Sequence, residues 1–233
     1  MTQHILALGA GRAIMEQPDN PLHDYILSLA NAEKPSVLFL PTASGDDKDY
    51  IEAFYKCYTE DKCIPADLKL FYREELDLRT YILKHDIIHV GGGNTANMIA
   101  VWKIHGVDQI LKEAWEMGKI LCGGSAGAIC WFEGGVTDSF GSSRLAPLTG
   151  CLGLIKGSVC PHYDVDKLRK PAYHEFLKDG LLPAGYAADD EVALHFEGTE
   201  LKTAVTSRPE AKAYKVSVDN GVVEEQPVAI TNL

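Results

Sequence analysis

The stretch Gly123-Gly124-Ser125-Ala126-Gly127-Ala128 sets a serine in the spacing G-x-S-x-G. It lies between an apolar run ending at Cys122 and a helix-like run, AGAICWF. A strand–turn–helix of this kind is the setting of a nucleophile elbow, in which the serine hydroxyl points out of a strained turn. Small neighbours relieve the crowding of that backbone. The amide of Ala126, at the start of the helix, would face the oxyanion of a carbonyl under attack. The same glycines would also suit a strand-to-helix turn with no chemistry.

A second cluster, Gly91-Gly92-Gly93-Asn94-Thr95, follows another apolar run and opens another helix-like segment. Its exposed amides suit a phosphate, a carboxylate or an oxyanion. It lacks the lysine of a Walker loop. Ile14 stands where Gly9-Ala10-Gly11 would need the third glycine of a dinucleotide fingerprint. Nucleotide binding gains little from either.

A serine nucleophile needs a base and a group that orients the base. Eight histidines are available. His4, His89 and His195 fall within strand-like runs, where a packed or surface histidine is the simpler account. His23, His85, His105 and His174 lie on or beside helical segments and are expected to be solvated. His162 differs, because Cys160-Pro161-His162-Tyr163-Asp164 reads as a loop after a strand, with Pro161 restricting the residue before it. For the orienting acid, Glu133 and Asp138 follow the elbow, and Asp190 and Glu191 precede a later strand. Spacing alone leaves all four open.

The elements that must position these residues alternate. Strand-like runs occur at Ile5 to Leu8, Ser36 to Leu40, Leu68 to Phe71, Asp86 to Val90 and Lys119 to Cys122. Helical candidates lie between them near 21–33, 47–60, 73–84, 94–103 and 106–117, with Asp46 or Asp47 and Asn94 or Thr95 as caps. Such alternation implies a parallel sheet with helices on both faces. Six glycines and a proline between 133 and 160 forbid a long helix there, and 166–178 reads as one more helix. From about 185 the chain turns β-rich, through VALHF, LKTAV, AYKVSV and VVEEQPVAI, with Asn220-Gly221 as a hairpin turn. One α/β domain over 1–233, with a β-rich C-terminal part from about 185 to 233, is the organisation expected.

Composition narrows the class. The net charge of -11 disfavours nucleic acid and anionic membrane surfaces as partners. No apolar run reaches the roughly 18 residues of a transmembrane helix, and the start reads as no signal peptide. Six cysteines without a C-x-x-C pair are thin for a zinc site or a disulfide scaffold. A reduced, cytoplasmic protein follows.

VGGGNT (Val90 to Thr95), GGSAGA and the Pro161-His162-Tyr163 loop resemble the peptidase E family of serine peptidases, family S51, to which cyanophycinases are related. The order and separation agree as well, with 32 residues from Gly93 to Ser125 and 37 from Ser125 to His162. The resemblance implies a three-layer sandwich with a mainly parallel sheet, like class I glutamine amidotransferases (flavodoxin-like). It implies Ser125 as nucleophile, His162 as general base, and the amides of Gly93 and Ala126 as the oxyanion hole. For the third member it favours Asp138, with Glu133 as the rival that cyanophycinases suggest and the neighbourhood of Asp190 as an older alternative. It implies no metal or organic cofactor, and a small peptide substrate, dipeptides with an N-terminal aspartate first. Arg144, Lys167, Arg169 and Lys170 bracket His162 and are candidate cations for such a substrate, the arginines preferred. A homo-oligomer is compatible with the sequence. Two rivals remain, an esterase using the same elbow and an inactive, small-anion-binding protein.

Overall fold

His4–Leu8 (HILAL) becomes the first strand, β1, because its alternate side chains find apolar cover on opposite sides. Ile5 and Ala7 join one buried cluster, Leu6 and Leu8 another. Ser36–Leu40, β2, divides the same way, Leu38 and Leu40 to the first cluster and Val37 and Phe39 to the second. A strand buried on both faces is apolar throughout, as these runs are. The structure, a computed structural model, describes residues 2–141 and 144–233.

The strands continue as β3 (Ile64–Asp67), β4 (Ile87–Val90), β5 (Ile120–Gly124), β6 (Phe132–Thr137) and β7 (Ala146–Thr149). Then follow β8 (Ile155–Cys160), β9 (Gly185–Ala188), β10 (Val192–Glu197), β11 (Glu200–Thr206), β12 (Ala213–Asp219), β13 (Val222–Pro227) and β14 (Ile230–Asn232). One sheet has the order β14-β11-β10-β1-β5-β4-β2-β3, and its strands from β1 to β3 run parallel. A second sheet has the order β13-β12-β9-β8-β6-β7, with β9, β8 and β6 parallel.

The helices are α1 (Arg12–Met15), α2 (Pro21–Ser28), α3 (Lys48–Cys57), α4 (Leu78–Leu83), α5 (Thr95–His105), α6 (Val107–Glu116), α7 (Ala126–Ile129) and α8 (Arg169–Lys178). α1, α2 and α3 cover the face of the large sheet that carries Leu6 and Phe39. α5, α6 and α7, with Phe132, Ile155 and Val159 of the second sheet, cover the other face, so one core runs between the sheets. α8 packs Tyr173 and Leu177 on the far side of the second sheet. The mainly parallel sheet between helices is the expected α/β architecture. The second sheet is formed where the sequence showed turn-formers, a strand before the His162 loop and a β-rich tail.

The predicted caps resolve to Asp47, whose side chain accepts from the Tyr50 amide, and Asn94, which accepts from the Asn97 amide. Several boundaries move. The strand expected at Leu68 to Phe71 is displaced to β3, a sheet edge whose half-exposed residues need no apolar run and tolerate Pro65. Leu68 and Leu70 instead anchor a loop in the core, where the buried Asp46 carboxylate accepts from the Phe71 amide. The helix expected from 73 begins at Leu78, where Asp77 caps the Thr80 amide. The AGAICWF run is helical for one turn only, since Trp131 and Phe132 turn into β6. His23 and His85, expected to be solvated, are 1% and 3% exposed.

Candidate active site

Ser125 follows β5 and precedes α7 with φ of 56° and ψ of -113°, a left-handed conformation that a residue with a Cβ adopts only where its surroundings compel it. The compulsion is visible in the backbone. The Ser125 amide donates to the Leu8 carbonyl at 3.2 Å, while its own carbonyl accepts from the Ala128 and Ile129 amides. A Cβ on Gly124 would stand 1.9 Å from the Ala10 carbonyl oxygen, so this approach requires glycine. The strained turn is the local signature of the elbow read from the sequence.

The turn after β4 lies beside it, because β4 and β5 pair in parallel with Val90 opposite Gly123. Three of its four amides are committed. Gly91 donates to the Leu40 carbonyl, Gly92 to the Tyr50 hydroxyl at 3.0 Å, and Asn94 to the Ala43 carbonyl at 2.8 Å. Burial pushes the Tyr50 hydroxyl up to about 12, so it stays protonated. Among the described residues the Gly93 amide has no protein acceptor, and neither has that of Ala126. These are two donors left for an incoming oxyanion.

His162 sits in the turn after β8, also with a left-handed φ of 57°. Its amide donates to the Gly9 carbonyl at 3.1 Å and the Tyr163 amide to the Ala188 carbonyl, which ties the loop to both sheets. Its Nδ1 lies 2.7 Å from Oδ1 of Asp190, which follows β9. β8 and β9 are adjacent parallel strands, so their C-terminal turns come together. Asp190 is itself held, its amide donating to Asp164 and its carbonyl accepting from Arg208. Burial works against charge on Asp164, yet the Arg208 guanidinium and the Asp190 amide keep its carboxyl below the usual range.

Ser125 and His162 line one cavity of about 620 Å³ together with Gly93, Asp138 and Arg169. A smaller cavity, about 230 Å³, reaches Ser125 and His162 from the side of Arg12 and Tyr50. Asp138 therefore belongs to the site but does not meet His162. Its half-exposed carboxylate is 3.8 Å from Nη2 of Arg169. The loop that carries it is fixed by Ser139, whose hydroxyl accepts from the Ala96 amide and whose carbonyl accepts from Asn94. Glu133 stands outside the cavity, accepting from the Gly157 amide and pairing with Lys156, which hold its carboxyl below the usual range. The acid that faces His162 is thus Asp190, neither Asp138 nor Glu133, because the pairing of β8 with β9 decides which loops meet.

Of the cations, Arg169 is buried at the cavity wall, with Nη1 donating to the Val136 carbonyl and Nε near Asp166. Arg144 and Lys167 are exposed and outside the lining, and Lys170 pairs with Glu225. The sequence reading missed the Asp164–Arg208 support, the Tyr50 hydroxyl and the Ser139 anchor. None has a local signal, since each partner is more than 40 residues away.

A model of peptidase family S51 matches residues 5–204. Over 233 residues the chain is 46% identical to the uncharacterized peptidase YgaJ of Bacillus subtilis (strain 168), with 99% of each chain covered. Over 141 residues it is 30% identical to the uncharacterized peptidase Lmo0363 of Listeria monocytogenes, covering 58% of this chain and 69% of that one. The solved structure of a peptidase from an acI-B1 Actinobacterium matches with a TM-score of 0.71 at 22% identity, covering 99% of this chain and 95% of that one. That last likeness shows a shared fold.

Proposed function

The chain belongs to peptidase family S51, and on that premise we propose that it hydrolyses short peptides, dipeptides with an N-terminal aspartate first, through an acyl-enzyme on Ser125. The observation that carries this reading is the meeting of Ser125, His162 and the unspent Gly93 amide around one cavity, with Asp190 at 2.7 Å behind the histidine.

In this mechanism the Asp190 carboxylate accepts the Nδ1–H of His162, which leaves Nε2 as the base. Nε2 takes the Ser125 proton as Oγ attacks the peptide carbonyl, and the Gly93 and Ala126 amides donate to the resulting oxyanion. The imidazolium then protonates the departing amine. Water, deprotonated by the same nitrogen, releases the acyl group. Among the described residues no hydrogen bond yet joins the serine hydroxyl to His162, a contact that commonly tightens on substrate binding.

The cavity walls argue for a small, charged substrate. Nη2 of Arg169, the guanidinium nitrogen not held by Val136 or Asp166, would meet an acidic side chain, and the half-exposed Asp138 carboxylate beside it would meet a free N-terminal ammonium. No helix among the described residues is long and apolar enough to cross a membrane, and all six cysteines are free thiols, which suits a reducing, cytoplasmic setting.

The test is turnover of dipeptides and aminoacyl anilides carrying Asp, Glu, Ala or Arg at the N-terminus. We expect aspartyl substrates to be cleaved fastest and Ser125→Ala to remove at least about 10³ of kcat. A wild type that cleaves none of them, or a variant that cleaves equally well, would refute the serine assignment. Turnover confined to esters would move it to the esterase reading.

A further inference from the structure

We propose that His4, His195 and Glu197 form a binding site for a divalent transition metal of the zinc class, at the end of the large sheet opposite the serine. β1 and β10 pair antiparallel with His4 opposite Glu197 and Leu6 opposite His195, so all three side chains stand on one face. The pleat thereby delivers one imidazole from one strand and an imidazole and a carboxylate from its neighbour. A ligand atom from each lies within 4.8 Å of the other two. Nδ1 of His4 and Nε2 of His195 are 2.9 Å apart. Two imidazoles on one tetrahedral zinc hold their nitrogens about 3.3 Å apart, so a shift of a few tenths of an ångström admits the ion.

Two features favour a metal over a hydrogen-bonded histidine pair. The Tyr25 hydroxyl lies 2.8 Å from Nδ1 of His195. With the proton on Nδ1 and donated to Tyr25, the lone pair of Nε2 is directed toward His4, which is how outer partners fix the tautomer of a ligating histidine. Access is the second feature. His4 and Glu197 are only partly buried, and His4 borders a cavity of about 550 Å³ that it shares with Leu29, Asp86 and Lys119. An ion can enter there and keep a water as fourth ligand. Glu197 is now paired with Lys202 at 3.3 Å, an exposed ion pair too weak to compete with a metal. Two imidazoles and a carboxylate suit zinc and its first-row neighbours rather than magnesium or calcium. The ion would clip β1 to β10 and take no part in acyl transfer, whose residues lie beyond the other end of β1, about 17 Å away.

Untagged, chelator-stripped full-length protein titrated with zinc in a calorimeter tests this directly. We expect one equivalent to bind, with affinity reduced at least about tenfold by His4→Gln and by Glu197→Gln and about tenfold by Tyr25→Phe. His162→Gln, in the active site, should bind zinc as the wild type does. Cobalt in place of zinc should give the intense visible bands of four-coordinate nitrogen–oxygen ligation. Glu197 is partly exposed, so its variant remains informative even where a His195 variant fails to fold. No uptake, uptake indifferent to both His4→Gln and Glu197→Gln, or uptake lost in His162→Gln overturns the proposal.

Discussion

A carboxylate that orients a catalytic imidazole must meet the ring nitrogen that is not the base, and Asp190 meets Nδ1 of His162 at 2.7 Å. Asp138 lines the cavity of Ser125 and His162 beside Arg169. The two acids should therefore fail differently. Asp190→Asn leaves the imidazole in place but favours the wrong tautomer, and kcat should fall about 10²–10⁴-fold with KM little changed. Asp138→Asn removes the proposed partner of a substrate ammonium, and KM for free dipeptides should rise about tenfold while kcat holds. Steady-state kinetics of both variants decide the matter; a larger kcat loss in Asp138→Asn would exchange their roles. Ser125 and His162 were legible in the sequence because an elbow and a proline-fixed loop are local patterns. Asp190 was legible only as one acid among several. Its selection depends on β8 lying beside β9, a pairing that joins residues 28 apart and leaves no local trace.

At the scale of elements, the site depends on how closely the turn after β4 packs on the turn after β2. Gly93 has φ of 138°, and a Cβ there would stand 2.3 Å from the Ala43 carbonyl oxygen. Gly93→Ala must push the turn away from Ala43 and carry the free amide with it. We expect kcat to fall about 10²–10³-fold, the loss typical of one oxyanion donor. The variant should also unfold at lower temperature, so a matched control is needed. Leu111→Ala, in the buried face of α6, should lose about 2–5 kcal/mol of stability while kcat is kept. If both variants lose activity in parallel, Gly93 acts through stability alone and its amide is not a donor. The same scale shows what sequence patterning carried. β1, β2, β4 and β5 announced themselves because strands buried on both faces are apolar throughout. β3 did not, because an edge strand needs no such run. β6 and β9 did not either, since their glycines serve close strand packing, as where a Cβ on Gly185 would meet the Ser158 carbonyl oxygen at 1.8 Å, and β8 showed only as the strand before the His162 loop.

For the whole molecule, burial of neutral histidines ties stability to pH. Burial lowers the pKa of His23 and His85, and takes that of His89 to about 3. His89 is enclosed by the Tyr58 hydroxyl at 3.2 Å and the ring of Phe39, with His23 as a further like charge when protonated. In the unfolded chain each titrates near 6.5. Below that pH the unfolded state binds more protons than the native state, so stability falls as pH falls from about 6.5 toward 3. Asp189 has the opposite sign. Burial raises its carboxyl to about 6, so its contribution is fully present below about 4 and is lost as pH rises through 6. Burial lowers His4 and His195 as well and raises Asp46 alongside Asp189, so five histidines stand against two aspartates, and the melting temperature should drop between pH 7 and pH 5. His89→Gln keeps a hydrogen-bonding group for Tyr58 but cannot titrate; it should lower the melting temperature at pH 7 and flatten the decline toward pH 5. Asp189→Asn retains an acceptor for the Lys212 amide and should raise the melting temperature at pH 8 far more than at pH 4.5. Denaturation curves across this range separate the two, and an unchanged slope in His89→Gln would mean that acid stability is set elsewhere, by ion pairs such as Asp164 with Arg208.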